Sequence, residues 1–167
     1  MITSLHISNF AIVLEEIKLE AAESRFGGQI GSSGDAGDAL GWLCLQGSDS
    51  AGRWVLWLES DEIDGPYVGS FQWRRVAANV QFDRRCQVLG NVDNEVALPI
   101  KLRLGSSESQ VLQILGKPTF RKGNTLFYEH EHNRTIRNEP WTSTNTVIIV
   151  LRHGVIWALD VDQSTRS

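Results

Sequence analysis

Cysteine is nearly absent from this 167-residue sequence. Only Cys44 and Cys86 occur, too few for a disulfide scaffold and badly spaced for zinc. Two readings of the pair stand open: two buried thiols in a reducing compartment, or one long-range bridge in an oxidising one. Long apolar runs are missing as well. The longest, such as Phe10 to Leu14 and Val147 to Leu151, extend five residues, against about 20 for a membrane-spanning helix. Positive charge is not in excess: 16 Lys and Arg stand against 20 Asp and Glu, a net charge of −4. No global field therefore exists to hold a phosphate backbone, and nucleic acid is not expected as a partner. The N-terminus, Met1-Ile2-Thr3-Ser4-Leu5-His6, has neither the basic start nor the apolar stretch of a leader. The expected location is the cytoplasm, or the periplasm if a leader was removed.

What is present is ordinary globular material. Hydrophobic residues make up 41% of the chain and 15 glycines accompany them, which excludes a disordered polymer. The length fits one compact domain or two small ones sharing a core.

The main organisational feature is an internal resemblance between two segments. In the second, Ile100 to Gly105 leads into Ser106-Ser107-Glu108-Ser109-Gln110-Val111-Leu112-Gln113-Ile114-Leu115, then Gly116-Lys117-Pro118. This reads as a short helix. Ser107 and Gln110 form a capping box, Glu108 complements the positive helix end, Gly116 ends the helix and Pro118 forbids continuation. Val111, Ile114 and Leu115 form a stripe that must lie on something apolar, because so short a helix is unstable alone. Three strands follow by β-branched and aromatic content: 125–132, 146–152 and 155–161, the last two joined at His153-Gly154. The polar stretch 133–145 between them reads as a long exposed loop.

The first segment repeats this plan, with Ile17 to Gly27 in the strand-helix-glycine order and a helix about one turn shorter. A Gly/Ser/Asp loop, Gly31 to Asp38, precedes strands at 40–45, 53–59 and 67–73. The expected organisation is a first helix-plus-sheet repeat over 12–75, a packed connector over 76–98 and a second repeat over 99–162. Together they predict an α+β fold whose short helices pack on one face of a continuous antiparallel sheet of at least six strands.

The run Leu104 to Val111, Leu115-Gly116-Lys117-Pro118, Leu126-Phe127-Tyr128, Val147 to Val150 and Gly154-Val155-Ile156 resembles the β-lactamase inhibitor protein (BLIP)-like superfamily. It is similar also to the small outer-membrane lipoproteins SmpA/OmlA (BamE). The likeness covers about 60 residues well and about 55 more weakly through the first segment. A tandem pair of such units resembles the inhibitor arm, which implies two BLIP-like repeats whose sheet offers an aromatic-rich face to a protein. The chain departs from the lipoprotein pattern in having no lipobox cysteine, and its two cysteines do not pair within one repeat.

Six tryptophans occur, at 42, 54, 57, 73, 141 and 157. Alternation along a strand puts Trp54, Leu56 and Leu58 on one face and Val55, Trp57 and Glu59 on the other, so the two indoles cannot share one core. Exposed aromatics in a polar setting mark protein-binding hot spots. Trp57, Trp73, Tyr128 and Trp141 are the expected anchors. Asp61, Glu62 and Arg137 are the expected steering charges, on the acidic turn 59–66 and the loop 133–145.

Glu129-His130-Glu131-His132 places both imidazoles on one strand face, but zinc needs a third ligand, for which His153 or His6 is the nearest histidine available in the sequence. No nucleophile can be placed beside these residues for acid–base work. Gly31 to Asp38 lacks the context of a phosphate or calcium loop.

The expectation is a non-enzymatic protein-binding module without a cofactor, of the bacterial inhibitor, immunity or adaptor type. A structural envelope component resembling SmpA/OmlA is the alternative, and a small metalloenzyme using His130 and His132 is a more distant one.

Overall fold

A computed structural model describes residues 1–34, 40–60, 65–81, 83–90, 95–136 and 139–166, and the side chains of 134–136 fall outside the description. The expected steering residues Asp61, Glu62 and Arg137 lie outside the described residues.

The chain begins with a hairpin, β1 (Ser4–Ile7) and β2 (Phe10–Val13), followed by the helix α1 (Leu19–Phe26). Next come β3 (Gly31–Ser33), β4 (Leu40–Asp49), β5 (Gly52–Ser60) and β6 (Ser70–Val76). Two short strands, β7 (Gln87–Val88) and β8 (Val96–Ala97), lie in the connector. The second half holds α2 (Glu108–Leu115), β9 (Phe120–Lys122), β10 (Thr125–Ile136), β11 (Glu139–Arg152) and β12 (Val155–Arg166). The fold is α+β and mostly antiparallel sheet.

A nine-stranded sheet runs β3-β4-β5-β6-β12-β11-β10-β9, with β7 added in parallel to β4. A separate three-stranded sheet runs β2-β1-β8. The connector thus gives one strand to each sheet. The order of the large sheet is a palindrome: two four-strand meanders meet where β6 pairs antiparallel with β12.

Each helix enters its half by the same contacts. Lys18 bridges Tyr67 and Ser107 bridges Val155. Leu19 N–H donates to the Pro66 carbonyl and Glu108 N–H to that of Gly154, while Val68 and Ile156 donate back to Ile17 and Ser106. Both helices have eight residues, so the first is not a turn shorter. Both end on a glycine of positive φ, Gly27 at 77° and Gly116 at 79°, where a side chain would be strained. Only α2 has the side-chain cap: Ser107 Oγ accepts from Gln110 N–H and Gln110 Oε1 accepts from Ser107 N–H. At the β11–β12 turn His153 and Gly154 both have positive φ, as a two-residue hairpin of matching twist requires.

One face of the large sheet is covered. Leu43, Leu45, Trp54, Leu56, Leu58, Phe71 and Trp73 from the first half are continuous with Leu126, Tyr128, Val147, Ile149, Leu159 and Val161 from the second. Leu19, Ala22 and Phe26 of α1 and Val111 of α2 join this core, as do Ile2, Leu5, Ile7 and Ile12 of the N-terminal hairpin region. Leu115 packs at its margin. Ile114 does not: it is 40% exposed, lying about 60° round the helix from Val111 on the side away from Leu115.

The described residues of the stretch 133–145 are strand and not the expected loop. Through Trp141 and Asn145 it forms the far part of the β10–β11 hairpin. Two of its polar side chains, Ser143 and Asn145, are buried with partners. Asn145 accepts from Ile2 N–H at 3.0 Å and donates to the Ile2 carbonyl at 2.7 Å. Ser143 shares a 2.7 Å hydrogen bond with Thr165, and Gln163 and Thr165 donate to the Glu15 carboxylate. Composition reads polarity as exposure, whereas here the N-terminal segment supplies the partners that make burial tolerable.

Candidate functional site

The other face of the nine-stranded sheet carries the alternate residues of the same strands. Register aligns Cys44, Trp57, Gln72, Asp160, Ile148, Phe127 and Phe120 in one row across seven strands. A neighbouring row holds Trp42, Glu59, Ser70, Asp162, Thr146 and Glu129.

The connector covers the first-half end of this face. Cys44 and Cys86 form a disulfide, with Cα atoms 4.4 Å apart, so of the two readings of the cysteine pair the bridge is the one found. Gln46, almost wholly buried, fastens the same segment by donating to the Asp83 and Cys86 carbonyls. Val55, Trp42, Trp57 and Val76 pack around the bridge as a small second core. The Trp42 and Trp57 rings meet edge to face at 5.1 Å. The Arg85 guanidinium lies 5.6 Å from one ring centroid and 5.5 Å from the other, a cation–π cap on both. Asp83 holds that guanidinium at 2.7 Å, and this hydrogen bond brings the Asp83 carboxyl down to about 2.

Towards the second half the face is half-exposed. A 250 Å³ depression is bounded by Glu59, Gln72, Thr146, Ile148, Asp160 and Asp162. Ser70 Oγ donates to Glu59 at 3.2 Å. Burial pushes the Asp160 carboxyl above its ordinary value, Arg74 opposes that rise and Glu59 adds to it. Beyond the depression the Phe127 and Phe120 rings meet at 5.5 Å with tilted planes, and Phe120 is 57% exposed at the sheet edge. An acidic centre therefore sits between two aromatic clusters. Such a surface offers apolar contact area at either side and a carboxylate group for a cation in the middle.

Of the four expected anchors, Trp57 alone lies on this face. Trp73 and Tyr128, each 2% exposed, belong to the opposite, covered face, and presentation to a partner is corrected for both. Trp73 follows Leu56 and Leu159 in register inside the main core. Tyr128 pairs with Val147 and donates its hydroxyl to the Gly116 carbonyl at 3.2 Å, tying the end of α2 to the sheet. Trp141 is half-buried on the covered side, in alternation with Ser143 and Asn145. Inward and outward positions look alike when the pairing partners are unknown. For the same reason Trp42, Phe127, Ile148, Asp160 and Asp162 were missed, although alternation from Trp57 and the strand pairing locate them all.

His130 and His132 share the covered side, while Glu129 and Glu131 are exposed on the other. Burial lowers the His130 pKa, and the nearby N-terminal ammonium adds to this. Among the described residues no three His, Cys, Asp or Glu side chains gather to hold a metal ion. No helix among the described residues is long and apolar enough to cross a membrane. No family model matches the chain, and neither a curated protein nor a solved structure matches it.

Proposed function

We propose that the protein is a non-enzymatic binding module that holds a partner protein on the open face of its nine-stranded sheet. The observation that carries this reading is the acidic depression of Glu59, Asp160 and Asp162, flanked by the Trp42–Trp57 and Phe120–Phe127 pairs. The complementary partner surface presents an Arg or Lys between apolar side chains. Trp57 remains the tryptophan anchor, and Phe127, Ile148 and Asp160 take the places first given to Trp73 and Tyr128.

The palindromic strand order and the matched helix-entry hydrogen bonds support the finer reading that the halves are a duplicated helix-plus-sheet unit of BLIP-like type. The function is then of the bacterial inhibitor, immunity or adaptor kind. A second reading, an envelope component resembling SmpA/OmlA, is favoured by the Cys44–Cys86 bridge, since such bridges persist in oxidising compartments.

The test is site-specific photocrosslinking in the native cell, with the photoreactive residue placed at Gln72, Thr146 or Ile148 and, as controls, at Glu20 or Gln113 on the helices. One discrete protein adduct from the sheet positions and none from the helices is expected. Adducts from the helices alone would overturn the assignment. The adduct's identity, soluble enzyme or envelope protein, separates the two readings.

A further inference from the structure

On the opposite side of the sheet, a 440 Å³ cleft opens between the covered face, the segment leading to α2 and β8. Its lining mixes apolar and polar side chains. Trp73, Leu98 and Leu102 line it, all at most 5% exposed, and Val96 adds a further apolar side chain. The Trp73 indole Nε1 is buried and has no hydrogen-bond partner. A buried donor without an acceptor is unusual in a folded protein, and the Trp57 and Trp141 indoles share that state here.

Lys101 and Arg103 stand on the outer wall, both exposed. Neither has an ion pair among the described residues. Lys101 also holds a left-handed backbone, φ 58°, uncommon for a residue with a Cβ. Two carboxylates share the wall. Asp49 is already neutralised by Arg75 at 2.7 Å, and that same guanidinium donates to the Leu104 carbonyl. Among the described residues of the wall, Glu95 is left as the one acid without an ion pair against two cations.

We infer that this cleft binds a small organic carboxylate, its apolar body towards Val96, Leu98, Leu102 and the Trp73 ring and its carboxylate between Lys101 and Arg103. The size is within the range of small-molecule sites. A fully hydrated anion such as free phosphate would gain little from the apolar wall. This site is separate from the open sheet face and does not depend on the protein-binding reading.

The experiment is a ¹H–¹⁵N titration of the indole and amide N–H signals of the intact protein at fixed ionic strength. Hexanoate and benzoate are the probes, hexanamide and benzamide their uncharged counterparts, and acetate and phosphate the anions without an apolar body. Saturable shifts of the Trp73 indole and of the 98–103 amides with at least one of the two larger carboxylates are expected. The matching amide, and acetate or phosphate, should bind about tenfold more weakly or worse. Lys101→Ala with Arg103→Ala should weaken carboxylate binding by a similar factor while the melting temperature holds, since both side chains are exposed. No saturation by hexanoate or benzoate up to about 10 mM, equal response to acid and amide, or unchanged affinity in the double variant each overturns the proposal.

Discussion

One step along β5 takes the chain from Leu56 in the main core to Trp57 under the Arg85 guanidinium. The two faces therefore give aromatic residues different work. Trp73→Ala and Tyr128→Ala remove large side chains from the core and should each cost about 3–5 kcal/mol in chemical denaturation. Tyr128→Phe, which loses only the bond to Gly116, should cost about 1 kcal/mol. Trp57→Ala should be milder, because the ring is half-buried in a small cluster, and its effect should appear in partner binding. Asp160 poses the reverse case. Its carboxyl is raised by burial, so the folded state carries a penalty above that raised value which vanishes as pH falls below the unfolded value. Asp160→Asn should then raise the melting temperature at neutral pH and weaken the partner complex. His130 has a depressed value. Its contribution is complete above the unfolded imidazole value of about 6.5 and is lost as pH falls through the folded one. Thermal melts between pH 7 and pH 5 should show a decline that His130→Gln flattens.

At the scale of elements, the strap of residues 83–89 is fixed to β4 by the disulfide, by the Gln46 side chain and by the Leu89 N–H bond to the Gln46 carbonyl. The bridge closes a separation of 42 residues, which the chain-entropy estimate converts to about 4 kcal/mol of stability. A Cys44→Ala, Cys86→Ala variant should lose roughly that amount in denaturant titration and expose Trp57 to fluorescence quenchers. The α2 cap is a smaller device, and Ser107→Ala should cost about 1 kcal/mol. That cap was legible in the sequence because its chemistry is local: Ser107, Gln110 and Gly116 act within ten residues. The six strands expected at 40–45, 53–59, 67–73, 125–132, 146–152 and 155–161 fall on β4, β5, β6, β10, β11 and β12 and were legible from β-branched and aromatic runs. The far part of the β10–β11 hairpin was not, since its inward residues Ser143 and Asn145 are polar and are satisfied by the distant N-terminus. The alternating threonines 142, 144 and 146 were the signal available there. β1 and β2 were missed too, being four residues each and dependent on pairing with β8 and packing beneath the sheet.

For the whole molecule, the arrangement joins two similar meanders into one sheet, buries one side beneath helices and a small sheet, and leaves the other side half-open. The candidate site was legible only in part, through Trp57, because a face is made by strand pairing and the sequence states alternation without stating register. Once register is known, Trp57, Asp160, Ile148 and Phe127 fall in a single row. The central claim is that this row meets a partner protein. Its most direct test is photocrosslinking from Ile148 in the native cell, compared with the same residue in an Asp160→Asn, Asp162→Asn background. One discrete protein adduct is expected, falling at least about tenfold when the two charges are removed. An adduct unaffected by the loss of both carboxylates, or none from Ile148 while a helix position such as Gln113 yields one, would contradict it.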